Sequence, residues 1–273
     1  MEGVFELKRI IGILMLIAIM FGVAACGNAN QNGSNTSSSQ SFYDKIKKSG
    51  EITIGTEGTY PPFTYHDENQ QLTGFDVDIA REVAKRLGLK AKFVETKWDG
   101  MIAGLDSKRY DMVANEVGVT PERKKKYMFS DPYIASHAVL IVGKNNNDIQ
   151  SFKDLKGKKV AQSITSNYLK IAEQYGAVNT PVDGFDESIS LITSGRVDAT
   201  VNDSLSYLDL MKRRSNIAIK KVDEQKDAAK CAFMFRKGSD VLVDKINQAL
   251  ADMKKDGTYL KISTQYFGTD VSK

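Results

Sequence analysis

DGMIAGLDSKRYDMVAN, residues 99–115, comes back 87 positions later as DESISLITSGRVDATVN, residues 186–202. Six of the seventeen positions are identical, namely Asp99/Asp186, Ile102/Ile189, Ser107/Ser194, Arg109/Arg196, Asp111/Asp198 and Asn115/Asn202. Each copy reads as a helix, a tight turn and a short strand. Two such units predict two α/β lobes of similar plan, each delivering the C-terminal end of its repeated strand to the same kind of place. Ligands of open α/β sheets bind outside those ends. Just past the copies stand Glu116-Val-Gly118, with Thr120 and Arg123 beyond, and Asp203-Ser204. A cation and an anion facing one cleft suit a zwitterion.

Outward from the repeat, short β-rich runs alternate with amphipathic helical patterns, which makes the fold class α/β. Glu51-Ile-Thr-Ile-Gly55 is followed by Asp76 to Leu87 and then Lys90 to Glu95. Within the middle segment Ala80, Val83, Ala84 and Leu87 share one helical face. Asp76 and Asp78 sit at its positive end, Lys85 and Arg86 at the other, and Gly88 supplies the left-handed stop. The domain boundaries expected are one lobe over 42–134 plus 232–268, with the other over 135–231 inserted between them.

Before residue 42 the chain reads as an address. Lys8 and Arg9 precede an apolar stretch from Ile10 to Ala25 that spans roughly 24 Å as a helix, short of the ~30 Å hydrocarbon core of a bilayer. Residues 1–25 therefore read as a signal peptide. Val23-Ala24-Ala25-Cys26-Gly27 resembles the bacterial lipobox, in which the Cys becomes a lipid-bearing N-terminus. Residues 26–41, rich in Asn, Gln, Ser and Gly, follow as a flexible tether. The expected location is the outer face of a bacterial cell membrane, reached through lipid on Cys26.

Composition closes off several classes of function. Across 273 residues, 41% are hydrophobic and 26% charged, too apolar for a mostly disordered chain. A formal charge of +4 over that length gives no case for a nucleic-acid partner. Two cysteines, Cys26 and Cys231, and two histidines, His66 and His137, cannot build a disulfide framework or a His/Cys metal centre. The histidines have no identifiable partner in the sequence, and no cofactor is implied. Cys231 lies in Cys231-Ala-Phe-Met-Phe235, a buried strand near the return to the first lobe, and reads as a small core residue.

Thr120-Pro-Glu-Arg123 reads as a helix start whose free N–H groups attract an anion, with Arg123 adding a bidentate fork for a carboxylate. Otherwise Arg123 only opens the solvated basic run to Lys126. Asp203 either accepts from a ligand ammonium, caps the helix beginning near Ser204, or does both. Tyr60, Phe63 and Trp98 lie in loops after strands, where flat faces can enclose a small ligand, Phe63 being the weakest candidate of the three.

In order along the chain stand Gly55-Thr-Glu-Gly-Thr-Tyr60-Pro-Pro-Phe63, Gly74-Phe-Asp-Val-Asp78, Trp98-Asp-Gly, Thr120-Pro-Glu-Arg123, Phe129-Ser-Asp-Pro-Tyr133 and Asp256-Gly-Thr-Tyr259. Over residues 42–268 the chain resembles the polar amino-acid-binding proteins of ABC importers, with the two-lobed type II periplasmic-binding-protein fold. The resemblance implies two lobes joined by two crossovers, a trap that closes on an amino acid, no catalysed reaction, monomeric action and a membrane permease as partner. Arg123 would hold the α-carboxylate and Asp203 the α-ammonium. Gly118 and Thr120 would add contacts, and Tyr60 and Trp98 would flank the side chain. Where many relatives have Gly-Thr-Thr this chain has Thr165-Ser166-Asn167. That loop, with Val182-Asp-Gly-Phe185 and Val201-Asn-Asp-Ser204, is most similar to the L-cystine-binding branch. Cystine carries a second ammonium, for which Glu116 is the candidate partner; a solvent-facing carboxylate at the rim is the other reading. Three alternatives stand beside it: another polar amino acid as ligand, a prephenate-type dehydratase with Glu116 or Asp203 as proton donor, and a sensory module signalling through a partner.

Overall fold

The computed structural model describes residues 41–273. The expected signal peptide, Cys26 and the tether as far as residue 40 lie outside the described residues. Ser41, expected as the last tether residue, belongs to the fold. Its hydroxyl accepts from the Asp44 N–H at 3.1 Å and Asp44 accepts from the Ser41 N–H, a reciprocal cap on the helix Phe42–Ser49.

Along the first pass of the chain come β1 (Glu51–Thr56), β2 (Thr59–Tyr60), β3 (Thr64–His66), β4 (Leu72–Thr73), β5 (Lys90–Glu95), β6 (Met112–Val113) and β7 (Tyr127–Phe129). Then follow β8 (Ile134–Ser136), β9 (Ala138–Gly143), β10 (Lys159–Gln162), β11 (Val178–Pro181), β12 (Ala199–Asp203) and β13 (Ile219–Glu224). The return is made by β14 (Ala229–Cys231) and β15 (Met234–Arg236). One five-stranded sheet has the order β5-β1-β6-β15-β7 and the other β11-β10-β12-β9-β13. In each, the second strand of that order, β1 or β10, is flanked by two parallel partners, and the central strand, β6 or β12, pairs antiparallel with a strand lying next to a crossover. The two sheets are copies of one plan, flanked by helices.

The repeat occupies equivalent places in that plan. Its helices are Trp98–Asp106 and Phe185–Thr193, and its strands are β6 and β12. The shared residues perform shared tasks. Asp111 accepts from the Thr53 N–H at 2.8 Å and Asp198 from the Lys159 N–H at 2.7 Å, so the two aspartates tie down the equivalent strands β1 and β10. Ser107 and Ser194 each donate to a carbonyl in the last turn of the preceding helix.

The segment expected as a helix over Asp76–Leu87 is a helix over Phe75–Arg86, with Gly88 at φ +64° beyond it. Ala80, Val83 and Ala84 are buried in the core with Ile52, Ile54 and Phe75. Of these, Val83, Ile52, Ile54 and Phe75 each contribute about 1.5–3 kcal/mol by leaving water. Where this helix begins, the Phe75 and Asp76 N–H groups bond to the carbonyls of Pro62 and Phe63, at 2.9 and 3.0 Å. That contact explains why the Tyr60-Pro-Pro-Phe63 and Gly74-Phe-Asp motifs occur together. Phe63 is wholly buried between Tyr60 and Phe267 and is a core residue.

The chain passes between the lobes through β8 and back through β14, which pair antiparallel with Cys231 opposite Ile134 and Ala229 opposite Ser136. The C-terminal tail beyond the expected limit of 268 reaches this hinge, where the Ala135 N–H donates to the Val271 carbonyl at 2.7 Å. Both histidines have partners that the sequence did not reveal. His66 Nε2 lies 3.3 Å from Glu95, and His137 Nδ1 lies 2.9 Å from the Gln225 carbonyl, each joining residues far apart in the chain.

Gly74 has φ +126°, and a Cβ there would stand 2.3 Å from the Phe63 carbonyl oxygen. Gly74→Ala is expected to cost roughly 2–4 kcal/mol, from a strained backbone and an overpacked contact. Urea unfolding measures it, and a loss below about 1 kcal/mol would contradict this account of the motif.

Candidate functional site

The C-terminal ends of the parallel strands of both sheets meet around a cavity of about 50 Å³. Tyr60, Trp98, Asn115 and Glu116 line it from the first lobe. Gln162, Ser166, Asn167, Tyr168, Phe185 and Asn202 line it from the second. That volume holds a few water molecules, and hydrogen bonds cross the cleft, so the lobes are shut and a larger guest enters only when they part. Tyr60 OH donates across the cleft to Asn202 Oδ1 at 2.8 Å. Asn115, the counterpart of Asn202 in the repeat, accepts from the Glu57 N–H at 2.7 Å.

Arg123 is 8% exposed and stands on a short helix, Pro121–Lys126, capped by Thr120, whose hydroxyl accepts from the Arg123 N–H. Its guanidinium lies 5.2 Å from the centre of the Trp98 ring. It donates to the Gly118 carbonyl at 3.0 Å and, across the cleft, to Asn167 Oδ1 and the Thr165 carbonyl, both at 3.3 Å. The other reading, a merely solvated start to a basic run, does not fit this burial.

Three carboxyl groups are buried at the cavity, Glu116 in its wall and Asp76 and Asp203 behind it. Asp76, fully enclosed, accepts from Tyr133 OH at 2.6 Å and from the Glu116 N–H. Glu116 Oε1 accepts from the Cys231 thiol at 2.8 Å and from Tyr168 OH at 3.3 Å. It is 5% exposed, so it is not a solvent-facing rim carboxylate. Asp203 Oδ1 caps the helix Ser204–Arg213 through the N–H groups of Leu205 and Ser206. Its Oδ2 accepts from Ser136 and, at 3.4 Å, from Tyr168.

Burial holds these acids toward their neutral forms: Asp76 is pushed up to about 7 and Asp203 to about 6. Glu116 is driven well above its ordinary value, by desolvation first and the Asp203 charge second. Among the described residues, no carboxylate forms an ion pair with Arg123 and no basic side chain forms one with Asp76, Glu116 or Asp203. A buried cation and a buried cluster of acids thus stand close together without charge partners, an arrangement a zwitterion completes.

Of the residues expected in the site, Tyr60, Trp98, Glu116, Ser166 and Asn167 line the cavity. Arg123, Thr120 and Thr165 instead border an adjoining pocket of about 260 Å³ with Lys126 and Lys170. Gly118 and Asp203 line neither pocket; the Gly118 carbonyl is taken up by Arg123 and the Asp203 carboxyl by the helix cap, Ser136 and Tyr168. Tyr60 and Trp98, expected in loops, are in β2 and at the start of a helix. Cys231 is wholly buried as expected, yet it faces Glu116 rather than apolar atoms alone. Trp98 Nε1 is buried without a hydrogen-bond partner. Sequence reasoning missed Asn115, Gln162, Tyr168, Phe185 and Asn202 as lining residues. The two asparagines carried a signal, since they close the two copies of the repeat.

In the unfolded chain these carboxyls titrate near pH ~4. In the fold they keep their protons to about 6 for Asp203 and about 7 for Asp76. The folded state binds more protons across that window, so their stabilising contribution is full below about pH 4 and is lost as the pH rises through the folded values. Asp256, held at about 2 chiefly by Thr258, acts below this window. The unfolding midpoint without ligand is therefore expected to fall between about pH 4.5 and pH 7.5, with a shallower slope in Asp203→Asn. Calorimetry across that range tests it, and a rising midpoint would refute the assignment.

Comparison with known proteins places this geometry in context. The profile of the bacterial extracellular solute-binding proteins, family 3, matches residues 52–269. L-cystine-binding protein TcyA of Bacillus subtilis (strain 168) is 49% identical over 268 residues, covering 97% of this chain and 99% of that protein. A solved structure of an ancestral arginine-binding protein bound to arginine is 41% identical, with TM-score 0.75, covering 80% of this chain and 98% of the other. The L-cystine solute receptor of Neisseria gonorrhoeae in the unliganded open conformation is 45% identical, with TM-score 0.57, covering 85% and 98%. The lower score at higher identity accords with shut lobes here and parted lobes there. These relatives bind solutes, and the chain is a binding protein rather than a dehydratase.

Proposed function

This chain belongs to the bacterial extracellular solute-binding proteins of family 3, and from that premise we propose that it captures L-cystine outside the membrane and delivers it to an ABC permease. In this reading the chain acts as a monomer without a cofactor and is held at the membrane by lipid on Cys26.

The observation that carries the reading is a buried Arg123 without an anionic partner near buried acids without a cationic one. Arg123 and the N–H groups at the start of the helix Asn167–Gln174 receive the ligand carboxylate once the lobes part and close again. Asp203 receives the α-ammonium as Ser136 and Tyr168 yield to it. Tyr60 and Trp98 enclose the disulfide-bearing side chain. Glu116, beside Asp203 across Tyr168, answers the second ammonium, which an ordinary neutral amino acid lacks. An entering ammonium also lowers the pKa of both carboxyls, so binding releases protons at neutral pH. The family and the 49% identical cystine-binding relative support the choice of ligand.

Thermal unfolding of the protein from residue 27 onward, against cystine, cysteine, glutamine, histidine and arginine, tests the proposal. Cystine at about one hundred times its dissociation constant should add roughly 2.7 kcal/mol and raise the midpoint by about 5–11 °C. A comparable shift with another amino acid alone would replace the ligand and keep the receptor. Arg123→Ala should weaken binding by about 2–5 kcal/mol, and unchanged affinity would overturn its role. Glu116→Gln is expected to weaken cystine far more than a small neutral amino acid, with equal losses counting against the second-ammonium role.

A further inference from the structure

Trp98-Asp-Gly is one of the ordered motifs, and Asp99 opens the first copy of the repeat, yet the proposed ligand contacts use only Trp98. The Asp99 carboxylate turns away from its own helix, Trp98–Asp106, and reaches the other lobe. Its Oδ1 accepts from Thr165 Oγ1 at 2.8 Å and from the Thr165 N–H at 2.9 Å, and its Oδ2 accepts from the Ile164 N–H at 3.2 Å. Two backbone donors and a hydroxyl of the loop after β10 therefore converge on one ionised group. On the other side of Trp98, Lys97 Nζ pairs with Asp183 in the loop after β11. One helix start thus grips both lobe II loops that border the cavity. Asp186, the counterpart of Asp99 in the repeat, makes no side-chain hydrogen bond among the described residues.

We propose that Asp99, assisted by Lys97, is a latch: a positioning residue that holds the lobes shut without touching the ligand and so sets how long the ligand stays. The proposal rests on the reading that the lobes close over an amino acid. Charge-assisted bonds to backbone N–H groups are stronger than neutral ones, and these three form only in the shut arrangement. The Lys97–Asp183 pair is 71% and 66% exposed, so salt screens it and its share is small. Whatever steadies the shut, occupied state slows the escape of every ligand by the same factor, because a guest leaves only when the lobes part. Asp99 therefore governs retention, while Arg123, Asp203 and Glu116 govern choice.

The latch predicts a separation of effects in the full chain. In Asp99→Ala, L-cystine should dissociate about tenfold faster while associating no more slowly, and any second amino acid that the unaltered protein binds should dissociate faster by the same factor. Lys97→Ala should have a smaller effect, vanishing at high salt. Without ligand, small-angle scattering should show a larger radius of gyration for Asp99→Ala than for the unaltered protein. An unchanged dissociation rate together with an unchanged radius of gyration would overturn the latch, and so would a loss confined to one ligand. The scattering arm needs no ligand, so it tests the latch even if no amino acid binds, an outcome that would instead sink the proposed function. Asp99 is exposed, and an unfolding midpoint near that of the unaltered protein confirms that the variant folds.

Discussion

The pairing of β8 with β14 is the constraint on which the rest of the molecule depends. Three residues on it or beside it hold the three buried acids. Tyr133 donates to Asp76, Ser136 to Asp203 and Cys231 to Glu116. The ribbon that lets the lobes move is thus also the support of the carboxyls beneath the cavity. A ligand that draws on those carboxyls changes the hydrogen bonds made by the strands that bend. Site and hinge are coupled by direct contact, over the length of one side chain.

The electrostatics follow from the same enclosure. A cation and three acids in one buried region are costly unless each is hydrogen-bonded or neutralised. Arg123 meets that requirement with carbonyl and amide oxygens, and the acids meet it with hydroxyls, a thiol, backbone N–H groups and retained protons. These partners are weaker than the opposite charges of a zwitterion. The shut lobes are a compromise that such a ligand resolves, while Asp99 keeps the lobes together from outside the cavity.

The fold was legible in advance because it is written in local periodicity. The helix Phe75–Arg86 has its apolar stripe and charged ends, and the repeat predicts the strands β6 and β12. The place of Arg123 was legible too, since Thr120 and Pro121 mark the helix start on which it stands. What escaped notice was long-range. Tyr168 carries no local signal of its hydrogen bonds to Glu116 and Asp203, 52 and 35 positions away. The same holds for His66 with Glu95 and for Cys231 with Glu116, separated by 115 residues. Asp76 looked like a helix-dipole aspartate, and its position at the helix start is right, but its full burial comes from packing against the hinge.

By itself the sequence determined the two-lobed α/β plan, the strand ends that would face the cleft, and the presence there of one cation and several acids. These are consequences of side-chain period, capping chemistry and internal repetition, all short-range properties of the chain. Only the tertiary structure decided which charges lack partners, which carboxyls keep their protons, and that Asp99 in one lobe answers the Thr165 loop in the other. Desolvation and cross-lobe hydrogen bonding depend on distances between residues far apart in the chain, and those distances exist only once the two sheets are folded and shut.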